Sequence, residues 1–179
     1  KVLFRYNLKK MPFELSRYLA DTRLSLEERA WASQRYRNKI NLGNAYFDVK
    51  YDMDHYRDGA PKKISRLPYT LPNLKLVGGV CIDQAYYASE VCKALGIPAT
   101  IATGRGSSGI GHAWLGWFRY SLSRKAAGWD CRTGRYGSHN YYVGDVRNPV
   151  SGKGFHDSEL IISVYAAQLS TSRREQAVT

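Results

Sequence analysis

Apolar residues along this chain repeat at two different periods, and the change from one to the other divides it. Cys81, Ala85, Ala88, Cys92 and Leu95 recur at intervals of four and three, which predicts an amphipathic helix with Cys81 in its first turn. Gly78-Gly79 before it allows a tight entry, and Gly96 with Pro98 supplies the stop. Beyond Pro98 the period drops to two. Ala99 to Thr103 reads as a strand, and Gly111 to Tyr120 as a second one, with His112, Trp114, Gly116 and Phe118 on one face and Ala113, Leu115 and Trp117 on the other. The chain then turns back through 119–127, and Gly128-Trp129-Asp130-Cys131 starts a hairpin partner. Tyr141 to Val146 predicts a further strand stopped by Asn148-Pro149, and 157–176 an amphipathic C-terminal helix.

The stretch before the cysteine is less regular. Pro12 to Leu19 fits a short helix, and Ser25-Leu26-Glu27-Glu28 has the capping-box spacing that opens a helix running to about Lys39. Asn41-Leu42-Gly43-Asn44 breaks it, Tyr46 to Tyr51 reads as an extended aromatic segment, and Asp52 to His55 as a solvated turn. Residues 58–72, rich in Pro, Gly and Lys, predict a long surface loop able to wall a cleft. These elements describe one α+β domain over 1–179, with its core at about 40–150, a helical packing segment at 1–39 and a C-terminal helix at 157–179.

A cysteine at a helix start meets unpaired N–H groups and the positive end of the macrodipole, both of which favour a thiolate. Most unpaired cysteines are small buried hydrophobes, so position alone decides little. The partner downstream changes the picture: Gly111-His112-Ala113-Trp114-Leu115 puts a histidine on a strand, and Gly128-Trp129-Asp130 puts a carboxylate on the returning one. Gly79-Val80-Cys81, then Ala94-Leu95-Gly96-Ile97-Pro98-Ala99, then His112-Ala113-Trp114 and Asp130 resemble, in that order, the core pattern of the transglutaminase-like superfamily. The resemblance covers about residues 40 to 150. It implies a papain-like, transglutaminase-core α+β fold, in which the cysteine-bearing helix packs on an antiparallel sheet. It also implies a catalytic Cys81, His112 and Asp130; the spacing along the chain leaves Asp145, a further strand on, as the alternative third member.

Such a site does thiol-dependent amide chemistry through a Cys81 thioester, either hydrolysis of a peptide, isopeptide or related amide, or amide exchange, on a peptide or protein substrate. The Cys81 backbone N–H would meet the oxyanion together with a side-chain donor among Asn73, Gln84, Trp114 and Tyr46. A rival reading keeps the fold without the chemistry, as a silent module binding a peptide or glycan. Asp83, two residues past the thiol, favours the helix start but opposes a thiolate.

Composition narrows the partners. Of 27 Lys and Arg against 15 Asp and Glu, 15 and 8 fall in the first 66 residues, so the net +12 is diffuse. That describes a charged exterior, and without a basic aromatic motif it does not argue for specific nucleic-acid binding. Three cysteines without a Cys-x-x-Cys pair make neither a disulfide framework nor a zinc site. Cys81 and Cys92 lie about 16 Å apart along one helix and cannot bridge. Asp52-Met53-Asp54-His55 lacks the ordered ligands of a calcium loop. Gly104-Arg105-Gly106-Ser107-Ser108-Gly109 has dinucleotide-fingerprint spacing but precedes a strand, so it reads as a hairpin loop. No cofactor or metal is expected, and no run is long enough for a membrane helix. A start at Lys1 and no leader predict a segment of a longer chain, with the compartment open.

Overall fold

A computed structural model describes residues 11–121, 126–136 and 144–168. It is built on a five-stranded antiparallel sheet in the order β3-β2-β1-β4-β5, comprising β1 (Ala99–Arg105), β2 (Gly111–Ser121), β3 (Ala126–Asp130), β4 (Asp145–Arg147) and β5 (Gly154–His156). Strand alternation splits the apolar residues between two cores. Ala113, Leu115 and Trp117 of β2 face α5 (Cys81–Ala94), while Trp114 and Phe118 face α1 (Phe13–Ala20) and α6 (Asp157–Gln168).

Helix α5 forms where its period places it. Ala85, Ala88, Cys92 and Leu95 are buried as the stripe requires, but so are Gln84, Tyr87, Ser89, Glu90 and Val91, because α2 (Leu26–Tyr36) and residues 42–48 cover the flanks left by the sheet. Its C-terminus closes on Gly96 at φ 77°, with the Ile97 N–H donating to the Cys92 carbonyl and the Gly96 N–H to that of Lys93. At its entrance Gly78 takes φ 91°, and a Cβ there would come within 2.5 Å of the Lys50 carbonyl oxygen. The capping box of α2 is present, with the Glu28 N–H donating to Ser25 Oγ at 3.2 Å. Glu28 also accepts the N–H of Leu71 at 2.9 Å, so one carboxylate steadies two helix starts.

Four local expectations change. Of the segment expected to be extended, Tyr46 to Tyr51, the first three residues belong to a 3-10 helix, Leu42–Asp48, and the backbone is extended only from Val49: Leu42, Ala45, Tyr46 and Val49 are all buried, and that spacing of three and four is helical. The aromatic content of the segment serves packing on α5 instead. Met53–Asp58 forms helix α3, closed by Gly59 at φ 66°, in place of a solvated turn. The supposed loop at 58–72 contains a 3-10 turn at Lys63–Arg66 and ends in α4 (Leu71–Val77), which Pro72 can enter because the first-turn N–H groups need no helical partner. Helix α2 stops at Tyr36, short of Lys39. The Gly104–Gly109 stretch does form the β1–β2 hairpin connection, with the Gly106 N–H donating to the Ile110 carbonyl. The expected strand at 141–146 is described from Gly144 onward. His139 and residues 169–176 lie outside the described residues.

Candidate active site

Cys81 is the first residue of α5 and is partly exposed, against the first core. The turn carrying it is fixed from behind by a short parallel contact between Tyr51 and Gly79. There the Gly79 N–H donates to the Lys50 carbonyl, and the Asp52 N–H to the Gly79 carbonyl, both at 2.9 Å. Tyr51 therefore lies beside the turn that carries Cys81. Burial raises its phenol pKa, the neighbouring Cys81 and Tyr136 raise it further, and the Cys81 backbone N–H directed at its oxygen acts the other way. Cys131, by contrast, packs against the second core, and burial there pushes its thiol up.

His112 stands near the start of β2, opposite Gly104, and is 7% exposed. Its Nε2 is 2.6 Å from the Gly134 carbonyl oxygen. A carbonyl only accepts, so Nε2 carries the hydrogen and the basic lone pair of the neutral ring lies on Nδ1. Tyr136 stacks on the imidazole with ring centroids 4.3 Å apart, and Trp114 lies 6.0 Å away on the other core's side. Tyr136 thus bears on both residues, stacking on the His112 ring and acting on the Tyr51 phenol beside Cys81.

Asp130 is placed elsewhere. It pairs with Trp117, five residues along β2 from His112 and so roughly 17 Å down the strand at the usual rise. Its carboxylate meets Arg119 Nη1 at 3.2 Å and accepts the Arg132 N–H at 3.1 Å. Past Asp130 the chain keeps beside β2, with Leu115 N–H donating to the Thr133 carbonyl, and it is this continuation that brings Gly134 level with the histidine. Asp145, on β4, faces Thr103 two strands away from His112 and pairs with His156 Nδ1 at 3.1 Å.

Three of the four expected oxyanion donors are committed to backbone carbonyls: Asn73 to Pro68, Gln84 to Val49, and Tyr46 to Ala113, at 2.8 to 2.9 Å. Trp114 is buried in the second core. The residues that sequence reasoning missed are Tyr51, Gly134 and Tyr136. Tyr51 is brought in by a contact 28 residues distant in sequence, which periodicity does not register. Gly134 carried one usable signal: at φ 92° it needs glycine, and a Cβ would lie 2.6 Å from the Tyr46 ring.

A cavity of about 520 Å³ runs along α5 between Ile82 and Lys93, bounded by β1 and β4, and neither Cys81 nor His112 lines it. No helix among the described residues is long and apolar enough to cross a membrane.

No curated protein matches the chain. A solved structure, "a Putative Cysteine Protease from Cytophaga hutchinsonii", is similar at a TM-score of 0.51 and 18% identity, over 74% of this chain and 45% of that one. The chain thus spans less than half the length of that protein, and at such identity the likeness speaks to the papain-like transglutaminase-core fold. The family model of the transglutaminase-like superfamily matches residues 24–130, which include Cys81 and His112. That stretch is more than half of the chain, and the protein belongs to the transglutaminase-like superfamily.

Proposed function

We propose that the protein performs thiol-dependent amide chemistry, with Cys81 as nucleophile and His112 as the proton carrier. The observation that carries this reading is the His112 Nε2–H donated to the Gly134 carbonyl, because it presents Nδ1 as the base. The Cys81 sulfur attacks the amide carbon as its proton passes to Nδ1. The tetrahedral oxyanion then collapses with C–N cleavage, and the amine leaves with that proton. Water or an amine next attacks the thioester, giving an acid or a new amide and restoring the thiol.

The Cys81 backbone N–H and the Tyr51 phenol are the two oxyanion donors this geometry supports best. The Tyr51–Gly79 contact sets Tyr51 beside the start of α5, where an incoming carbonyl oxygen would lie between the two donors. For the third member, the hydrogen bond on His112 favours the Gly134 carbonyl over the expected Asp130, whose carboxylate is engaged by Arg119. In this reading Tyr136 walls the imidazole side of the cleft.

4-Nitrophenyl acetate tests the nucleophile without knowledge of the natural amide. A burst of one 4-nitrophenol per chain, with the acetyl group on Cys81 in the peptide mass spectrum, is expected. It should vanish in Cys81→Ala and slow by orders of magnitude in His112→Gln. A burst that survives Cys81→Ala, or acetylation spread over the other cysteines, would sink the proposal and return the fold to a silent binding module.

A further inference from the structure

We infer that Asp52 and Asp83, held by the adjacent Lys62 and Lys63, form a brace that sets the spacing of the two oxyanion donors. The inference rests on the reading of Cys81 and Tyr51 given above. All four are positioning residues. Asp83 lies two residues past Cys81, and its side chain is only 3% exposed. Its Oδ2 accepts the Val80 N–H and the Lys62 ammonium, each at 2.9 Å, and its Oδ1 accepts the Tyr69 hydroxyl at 2.9 Å. Val80 is held from its other side too, since its carbonyl accepts the N–H groups of Asp83 and Gln84. A peptide gripped at both ends fixes the direction of the next N–H, which is that of Cys81.

The same arrangement recurs on the Tyr51 side. Asp52 is 1% exposed, and its Oδ2 accepts the Lys63 backbone N–H at 3.0 Å while Lys63 Nζ lies 3.5 Å from Oδ1. These contacts hold its carboxyl below the usual carboxylate range, the Lys63 N–H being the largest cause. One dipeptide therefore ties the residue after Tyr51 to the turn before Cys81. Tyr69 extends the attachment, its ring packing on that of Tyr86 one turn further along α5 at 5.2 Å. Gly79 completes it: a Cβ there would come 2.5 Å from that of Asp83, so only glycine lets the carboxylate reach the Val80 N–H. The brace also answers the objection to a carboxylate beside the thiol, because Lys62 neutralises the Asp83 charge.

A brace for oxyanion donors matters to acylation and not to alkylation, whose transition state has no oxyanion. In Lys62→Met the acetylation rate constant with 4-nitrophenyl acetate should fall about tenfold, somewhat less than the loss of a whole donor. With both reactions run at a pH high enough for the thiol to be fully ionised, where the uncovered Asp83 charge no longer changes the thiolate fraction, the rate of Cys81 alkylation by iodoacetamide should stay within about twofold, and Lys62→Arg should recover most of the acetylation. Tyr69→Phe, which deletes one hydroxyl, serves as the milder variant if Lys62→Met does not fold, and should show the same split on a smaller scale. Equal losses in both reactions, or an unchanged acetylation rate in both variants, would overturn the brace. The wild-type burst, dependent on Cys81, separates that outcome from a failure of the nucleophile assignment.

Discussion

An imidazole needs an acceptor to fix its tautomer, and nothing in that requirement demands a carboxylate. With Gly134 supplying the acceptor, Asp130→Asn should leave turnover within about threefold of wild type, whereas loss of a true triad carboxylate costs several orders of magnitude. A drop of a thousandfold or more in that variant would return the role to Asp130. Gly134→Ala makes the complementary case. Its left-handed backbone and the Tyr46 ring both reject a Cβ, so the carbonyl must move, at a cost of roughly 1 to 3 kcal/mol in stability. Acylation should fall further than the lost stability explains, measured well below the melting temperature; activity that merely follows the folded fraction would make Gly134 a turn residue and no more. The positions of Cys81 and His112 were legible because each rides on a regular element whose period can be counted, the start of α5 and the start of β2. The acceptor was not, since a backbone carbonyl has no side chain to read, and the 18-residue spacing to Asp130 assumed a return strand level with the histidine. The hairpin instead pairs Ser121 with Ala126, far along β2, and this fixes Asp130 opposite Trp117.

At the scale of elements, the helices that were easy to read are those whose ends are marked by side chains, such as Ser25 and Glu28 for α2 and Gly96 for α5. The 3-10 helix at Leu42–Asp48 and the turn at Lys63–Arg66 were not legible, because distant partners hold them: the Tyr46 hydroxyl is accepted by the Ala113 carbonyl, and the Lys63 N–H by Asp52. This gives the 62–70 segment a dependence on acid. The Asp52 pKa is lower in the folded protein than in the unfolded chain, so its contribution is present above the ordinary carboxylate range near pH 4 and is lost as pH falls through the lowered value. Amide hydrogen exchange in the peptide spanning Lys62 to Tyr69, corrected for intrinsic rates, should therefore lose protection on going from pH 7 to pH 3 before α5 does. Asp52→Asn should show the weaker protection already at pH 7. Simultaneous loss in the segment and in α5 would mean that acid acts on the whole domain and not through Asp52.

The whole molecule is a sheet with a core on each face, and the site draws on both. α5 brings Cys81 over one core, while His112 shares the face of Trp114, whose packing includes Leu15, Tyr18, Leu160 and Val164 from α1 and α6. Helix α6 was foreseen as packing, though its apolar residues are not confined to one stripe: Leu160 and Val164 are buried while Ile162 and Tyr165 are exposed. Its attachment accordingly rests on few side chains, and Leu160, fully buried, is the largest of those on α6. Truncating it removes the transfer free energy of the lost methylenes and leaves a void that the Trp114 and Phe118 rings are too rigid to fill. Leu160→Ala should cost about 3 kcal/mol, which for a domain of this size lowers the melting temperature by roughly 6 to 12 °C. Ile162→Ala, on the exposed side of the same helix, should change it by no more than a degree or two, since exposed substitutions stay within about 0.5 kcal/mol. If the second core supports the histidine strand, thermal loss of the Cys81 burst in Leu160→Ala should coincide with loss of the near-ultraviolet tryptophan signal. A melting shift below about 2 °C in that variant would show that α6 rides on the sheet without stabilising it, and that the first core alone sustains the site.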